Sequence, residues 1–365
     1  LQPHRICYFA GTHGNWGGAS RVLFTNLKLL DRDRFEPIVL LSGHGPAEAL
    51  LDRAGIRHEV WGPLTEPGSP FRYLRALFRT CLWMKRHKVA LVHMNRANDW
   101  RPAELLALRI CGIPVVTHFH TVNTDRAPAT RWSTAIAAVS EYVARHSDTQ
   151  GVPATVIHNA VDLERFSRGN SLRSQLGIGS GQTVVSFIGQ IREIKGLADF
   201  VAMARSVAGD GVRFLIAGQC RDKAAMGDAY TEEELRQLIS GDPRIQYCGY
   251  VENVEDIYRT SDIVVVPSRW QEPFGLIGIE AAAAGLPVIA TRSGGLPEVI
   301  ADGVSGFMVD IGDVKAMVGL VQRMLAEPNL KTRLGEAARQ RVAREFTYKP
   351  IRALEELYNS LLEAD

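Results

Sequence analysis

Ten short runs rich in Val and Ile, none with regular polar alternation, constrain this chain more than any other feature. RICYFA, PIVLL, VALVHM, PVVTHF and ATVIHN occupy the first half; TVVSFIG, RFLIAG, IQYCG, DIVVVPS and LPVIAT occupy the second. A strand that is apolar on both sides must be covered on both sides, as in parallel sheets sandwiched by helices. The stretches between the runs carry amphipathic helical patterns, so the expected fold class is α/β, with two doubly wound domains. At 365 residues the chain has length for two cores. The break is expected in DLERFSRGNSLRSQLGIGSGQ, which is polar and rich in Gly and Ser. This gives domains 1–168 and 169–348, with a C-terminal helix at about 349–365 crossing back onto the first.

No apolar run reaches the roughly 18 residues of a membrane span. The start, LQPHRICYFA, reads as a first strand rather than a secretory leader. Cys7, Cys81, Cys111, Cys220 and Cys248 are scattered, with no CxxC pair, which fits a reduced cytoplasmic setting and suggests no metal centre. The net charge of +2 divides into +7 for residues 1–168 and −5 for the remainder. A basic first half suits an anionic partner, although ordinary scatter explains it equally well. FRYLRALFRTCLWMKRHK mixes Arg72, Arg75, Arg79, Lys85, Arg86 and Lys88 with Phe, Leu and Trp. It reads either as a packed helix with its cations in solvent or as a basic amphipathic helix resting on an anionic membrane surface. The basic residues lack an aromatic-studded groove, which argues against nucleic acid as a partner.

In open parallel sheets, ligands bind at the carboxyl ends of the strands, where glycine-rich turns open helices. GTHGNWGGASRVL is such a turn, with Gly17 and Gly18 allowing close backbone approach to a phosphate. It does not fit GxGxxG, and no acidic residue closes the second strand, so a nicotinamide site is disfavoured. FIGQIREIKG follows the first strand of the second half and presents Arg192 and Lys195 to a pyrophosphate; it is not a P-loop. In QEPFGLIGIE, Glu272 and Glu280 flank a Pro-Phe-Gly step. Eight helical residues span about 12 Å, whereas hydrolytic carboxylate pairs stand roughly 5–9.5 Å apart. Two contacts along one extended ligand fit better, with a helix start between them for phosphate.

This spacing resembles the E-x7-E signature of retaining GT-B transferases, specifically glycosyltransferase family 4. CGYVENVEDIYRTSDIVVVPSRWQEPFGLIGIEAAAAGLPVIATRSGGLPEVIADGVSGFMV is similar to that family's core, GGASRVL to its first glycine loop, VIHNAVDLERF to its hinge and IPVVTHFHT to its histidine strand. The resemblance implies two Rossmann-like domains facing each other across a deep cleft. It also implies retaining transfer from a nucleotide-diphosphate sugar, UDP-linked in preference to GDP-linked, to a glycan or lipid-linked acceptor in bacterial glycan or glycolipid biosynthesis, with no metal or cofactor.

Residue by residue, the resemblance gives Glu272 the sugar's distal hydroxyls and Glu280 the ribose. Backbone amides near Phe274, Gly275 and Leu276 meet sugar and phosphate. Lys195 neutralises the pyrophosphate, Gly17 and Gly18 close over it, and Val251 brackets the base. His120 contacts the transferred sugar, while His118 falls out of register. Two positions depart from the pattern: Gln190 stands where the family has Arg, and Ala160 where its hinge has Gly. Either Arg192 substitutes for the missing charge or Lys195 acts alone. A sugar-nucleotide epimerase and a catalytically weak sugar-nucleotide-binding protein remain as alternatives.

Overall fold

The computed structural model describes residues 2–11, 17–62, 69–96, 101–125, 128–220, 223 and 226–363. The chain divides into two units, Leu1–Ala160 with Tyr348–Asp365, and Val161–Thr347. Each is built on one parallel sheet with flanking helices, because the central strands are apolar on both faces.

The first unit holds β1 (His4–Phe9), β2 (Phe35–Leu41), β3 (Arg57–Val60), β4 (Val89–Met94), β5 (Val115–Phe119), β6 (Ala135–Ala138) and β7 (Ala154–Val156). Their spatial order is β3-β2-β1-β4-β5-β6-β7. In β1, Ile6 and Tyr8 enter the core on one side with Leu27, Phe35 and Leu91, while Cys7 and Phe9 enter the other with Met94, Leu105 and Leu108. The last helix, Tyr348–Leu362, puts Leu354 and Tyr358 into the first of these cores. The Tyr358 hydroxyl lies 3.1 Å from the Tyr8 hydroxyl and 2.7 Å from His93 Nδ1.

The second unit holds β8 (Thr183–Ile188), β9 (Val212–Ala217), β10 (Ile245–Gly249), β11 (Ile263–Val266), β12 (Val288–Thr291) and β13 (Gly306–Val309), in the order β10-β9-β8-β11-β12-β13. Val185 of β8 pairs with Phe214 on one side and Ile263 on the other. Phe187, Phe200, Phe214 and Ile216 anchor its main core; a buried side chain of this size is worth about 1.5–3 kcal/mol. In both sheets strand order reverses beside the first strand, at β1/β4 and β8/β11. Adjacent strands whose connections leave in opposite directions open a crevice at their carboxyl ends.

The expected boundary at 168/169 moves to 160/161. Residues 161–168 are held by the second unit: Val161 N donates to Phe346 O at 2.8 Å, and Asp162 caps the helix Leu163–Ser167. Phe166 meets Tyr258 edge-on at 5.5 Å, and Arg165 pairs with Glu255 at 3.0 Å.

Candidate functional site

In the second unit, neighbouring β8 and β11 feed two loops that are stitched together by backbone. After β8 the chain passes Gln190 and Arg192 into a short 3-10 turn, Glu193–Lys195, and then Gly196, whose φ is 73°. A Cβ on Gly196 would stand 1.8 Å from the Pro267 carbonyl oxygen, so only glycine lets the loops approach this closely. The Ile194 carbonyl accepts from Arg269 N at 2.8 Å, Trp270 N at 3.1 Å and Ser268 Oγ at 3.2 Å. Arg269 grips Asp199 through two 2.7 Å bonds, fixing the second loop to the helix that follows the first.

These constraints bring Lys195 Nζ to 2.6 Å from Glu272 Oε1, which also accepts from Ser268 Oγ at 2.7 Å. The Lys195 ammonium stands 5.8 Å from the Trp270 ring centroid. The Glu272 carbonyl accepts from Gly295 N at 2.7 Å, and Gln271 Oε1 accepts from Gly294 N at 2.7 Å, tying this loop to the turn after β12.

Gly275, with φ 110°, is the N-cap of the helix Leu276–Ala283 and offers it no side-chain cap. The first amides of the helix have no side-chain cap from Gly275 and lie at the end where the dipole favours an anion. Phe274 is buried edge-on to Phe346 at 5.8 Å, so its side chain anchors the turn. Glu280 is buried one turn into the helix, where the Tyr258 hydroxyl donates to Oε2 at 2.9 Å. Glu272 and Glu280 thus lie on either side of a helix start.

Arg192 is otherwise engaged. Its Nη2 and Nε donate to Asp228 Oδ1 at 2.6 and 2.9 Å, and its Nη1 reaches Gln190 Oε1 at 3.4 Å. Those hydrogen bonds hold the Asp228 carboxyl below its ordinary range. Val251 follows β10, two strands from β8, and is half-buried.

In the first unit, Gly17 is the N-cap of the helix Gly18–Leu29 and carries no side-chain cap; the rest of its glycine loop, residues 12–16, lies outside the described residues. His120 follows β5, and Asn95 follows the neighbouring β4. Asn95 Nδ2 donates to Ala19 O at 3.4 Å, so Oδ1 faces His120 Nε2 at 3.0 Å. A carbonyl oxygen only accepts; His120 therefore carries its proton on Nε2 and keeps a lone pair on Nδ1. His118 stacks on His120 at 4.2 Å, and its Nδ1 meets His93 Nε2 at 3.2 Å. Burial lowers all three histidines from their ordinary value, His118 to about 4. All three are neutral at pH 7.

The sequence reading missed four supporting residues: Ser268, Asn95, Tyr258 and Asp228. Ser268 and Asn95 carry a usable signal, since each is a polar residue just beyond a Val-rich strand beside the switch point. Tyr258 and Asp228 lie on elements whose approach to the site emerges only in three dimensions.

Comparison with known proteins shows the family and the fold. Residues 16–165 match the family model for Glycosyltransferase Family 4, and residues 170–341 match that for Glycosyl transferases group 1. The chain belongs to this family of glycosyltransferases and has its GT-B fold of two Rossmann-like domains.

Among its relatives, the D-inositol 3-phosphate glycosyltransferase of Corynebacterium glutamicum is 30% identical over 303 residues, covering 79% of this chain and 69% of the relative. The enzyme of the same name from Corynebacterium urealyticum is 30% identical over 287 residues, 75% of this chain and 65% of that protein. The chain thus spans about two thirds of the length of these relatives. The solved structure of Anabaena HepE in complex with UDP superimposes with a TM-score of 0.81 at 20% identity, covering 98% of this chain and 100% of that one. A glycosyltransferase from Rickettsia africae gives 0.83 at 20% identity with complete coverage of both chains.

Proposed function

We propose that the protein is a retaining glycosyltransferase, a hexosyl- or N-acetylhexosaminyl-transferase, that uses a nucleoside-diphosphate sugar. A UDP-sugar is favoured over a GDP-sugar, and the acceptor is a hydroxyl on a glycan or lipid-linked molecule of bacterial glycan or glycolipid biosynthesis. The observation that carries this reading is the Lys195–Glu272 pair beside the uncapped helix start, with Glu280 held by Tyr258 beyond it. A cation and helix amides suit a diphosphate, and the two carboxylates suit hydroxyl groups on either side of it. The Anabaena neighbour's complexes with UDP, and with UDP and glucose, support the donor class.

In the transfer, the bond between sugar C1 and the β-phosphate oxygen breaks and one from C1 to the acceptor oxygen forms on the same face. The acceptor proton passes to the departing phosphate oxygen. Lys195 and the amides near Phe274, Gly275 and Leu276 stabilise the charge developing on that phosphate. Glu272 orients the sugar, Glu280 the ribose, and Val251 the base through its backbone. Gly17 and Gly18 leave room for a phosphate at their helix start. His120, bare at Nδ1, accepts a hydrogen bond from a sugar hydroxyl. With the charge carried by protein groups, transfer should proceed in a chelator.

Gln190, with Arg192 held by Asp228, gives a specific reason to retain a second reading: a binding protein with weak activity. Incubation with UDP-glucose, UDP-N-acetylglucosamine and GDP-mannose separates the readings. A transferase slowly hydrolyses one donor and loses that activity on Lys195→Ala. An isomerised donor would indicate an epimerase, and an intact but bound donor would indicate a binding protein.

A further inference from the structure

The helix Pro70–Arg86 has a packing face already in use. Thr80 and Met84 are buried, Trp83 Nε1 donates to Glu59 Oε2 at 2.9 Å, and the Tyr73 hydroxyl donates to Pro102 O at 3.3 Å. A packed amphipathic helix would turn its remaining side to water with polar residues. Instead Phe71, Leu74, Phe78 and Leu82 are 77%, 62%, 69% and 50% exposed. At about 100° per residue these four fall within an arc of about 80°, forming one stripe rather than scattered surface residues. Scattered apolar residues on a surface are ordinary; a contiguous apolar stripe marks a contact surface.

The surroundings of the stripe identify what would cover it. Arg72, Arg75, Lys85 and Arg86 are exposed on the same helix, Lys88 follows just beyond it, and the helix contains no acidic residue. Two copies meeting stripe to stripe would bring these like charges together, which opposes association. An anionic lipid surface complements them, taking the phenyl and leucyl groups below the headgroups and the guanidinium groups at the phosphates. Of the two readings the sequence left open for this stretch, the packed helix accounts for Thr80 and Met84 but leaves the four apolar side chains in water.

We infer that the exposed face of the helix Pro70–Arg86 is a docking surface for an anionic lipid bilayer. This inference stands apart from the transfer reaction, because lipid binding is measured without any donor. Flotation of the full chain with phosphatidylcholine vesicles, with and without phosphatidylglycerol, tests it. Binding should require phosphatidylglycerol and weaken as salt rises. Phe71→Ser/Phe78→Ser should lower it at least about tenfold, and Arg72→Glu/Arg75→Glu by more than about thirtyfold, the worth of two lost charges alone. All six positions of the stripe and its two reversed arginines are exposed, and thermal melting verifies that each variant folds; Arg79, whose guanidinium stands 4.5 Å from the Trp61 ring centroid, is left intact. The inference is overturned if the wild type ignores phosphatidylglycerol or if the folded variants bind as it does. It is equally overturned if light scattering shows a dimer that the variants abolish while lipid binding is absent.

Discussion

The Lys195 ammonium and the Glu272 carboxylate stand 2.6 Å apart although 77 residues separate them in the chain, and the space that lets them meet is the missing Cβ of Gly196. Gly196→Ala would need a left-handed backbone and would press a methyl group against the Pro267 carbonyl. The loops must part, and Lys195 with them. We expect a loss of about 3 kcal/mol in urea unfolding and a fall in donor turnover of roughly 10²–10³, as when a charge-stabilising group is displaced. A Gly196→Ala protein with unaltered stability and turnover would refute this role for the glycine.

The sequence displayed Lys195, Glu272 and Glu280 because they sit at the ends of apolar runs or at a fixed spacing. It did not display Tyr258, whose only local signature is a helical position in VEDIYRT. The strands it concealed have local causes as well. β3 (RHEV) is a polar edge strand, β6 (AIAA) is built mostly from alanine, a poor strand former, and β13 (GFMV) opens on glycine. Sheet order and switch points follow from the neighbours these strands acquire, so the crevice became visible only with pairing. Arg192 shows the opposite failure: its charge was legible, but its engagement by Asp228 was not.

Tyr258 offers a direct test of the ribose assignment. Tyr258→Phe removes the donor to Glu280 Oε2 and leaves that buried carboxylate less firmly aimed. The lost hydrogen bond to a charged group is worth about 1.5–3 kcal/mol to the site, so UDP affinity should fall about tenfold in calorimetry. Glu280→Ala should fall further and should also stop distinguishing UDP from its 2′,3′-dideoxy analogue. If Glu280→Ala retains full discrimination between the two, the carboxylate does not hold the ribose.

The buried histidines should set the acid limit of the first unit. His93, His118 and His120 are all lowered from the ordinary value of 6.5 by burial, with neighbouring positive charge as a lesser cause for His93 and His120. Between the folded and ordinary values the unfolded chain binds more protons, so stability falls as pH drops below about 6.5. For His118 the loss levels off near 4, where the folded form protonates too. Each histidine held neutral contributes a slope of roughly 1.4 kcal/mol per pH unit. Asp228 acts lower: its depressed value adds stability that is lost only as pH falls below the ordinary carboxylate range. Urea midpoints from pH 7.5 to 4.5 should decline, and less steeply in His118→Asn; equal slopes would exclude the buried ring as the cause.

Whether the arginine missing at position 190 weakens the donor site turns on what Arg192 is free to do. Its guanidinium makes hydrogen bonds of 2.6 and 2.9 Å to Asp228, so moving it to a phosphate would strand a carboxylate that those bonds now stabilise. Gln190 accepts from it and adds no charge. We therefore expect Gln190→Arg to tighten UDP binding and raise donor turnover about tenfold, the worth of one added charge-assisted hydrogen bond. Arg192→Ala should mainly lower stability, since it removes the charged partner of the Asp228 carboxylate. Asp228→Asn frees Arg192 without removing it and should recover part of the gain seen with Gln190→Arg. Measuring UDP affinity and stability side by side decides the matter. If Arg192→Ala abolishes UDP binding with the fold intact, Arg192 already serves the phosphate and Gln190 is no defect.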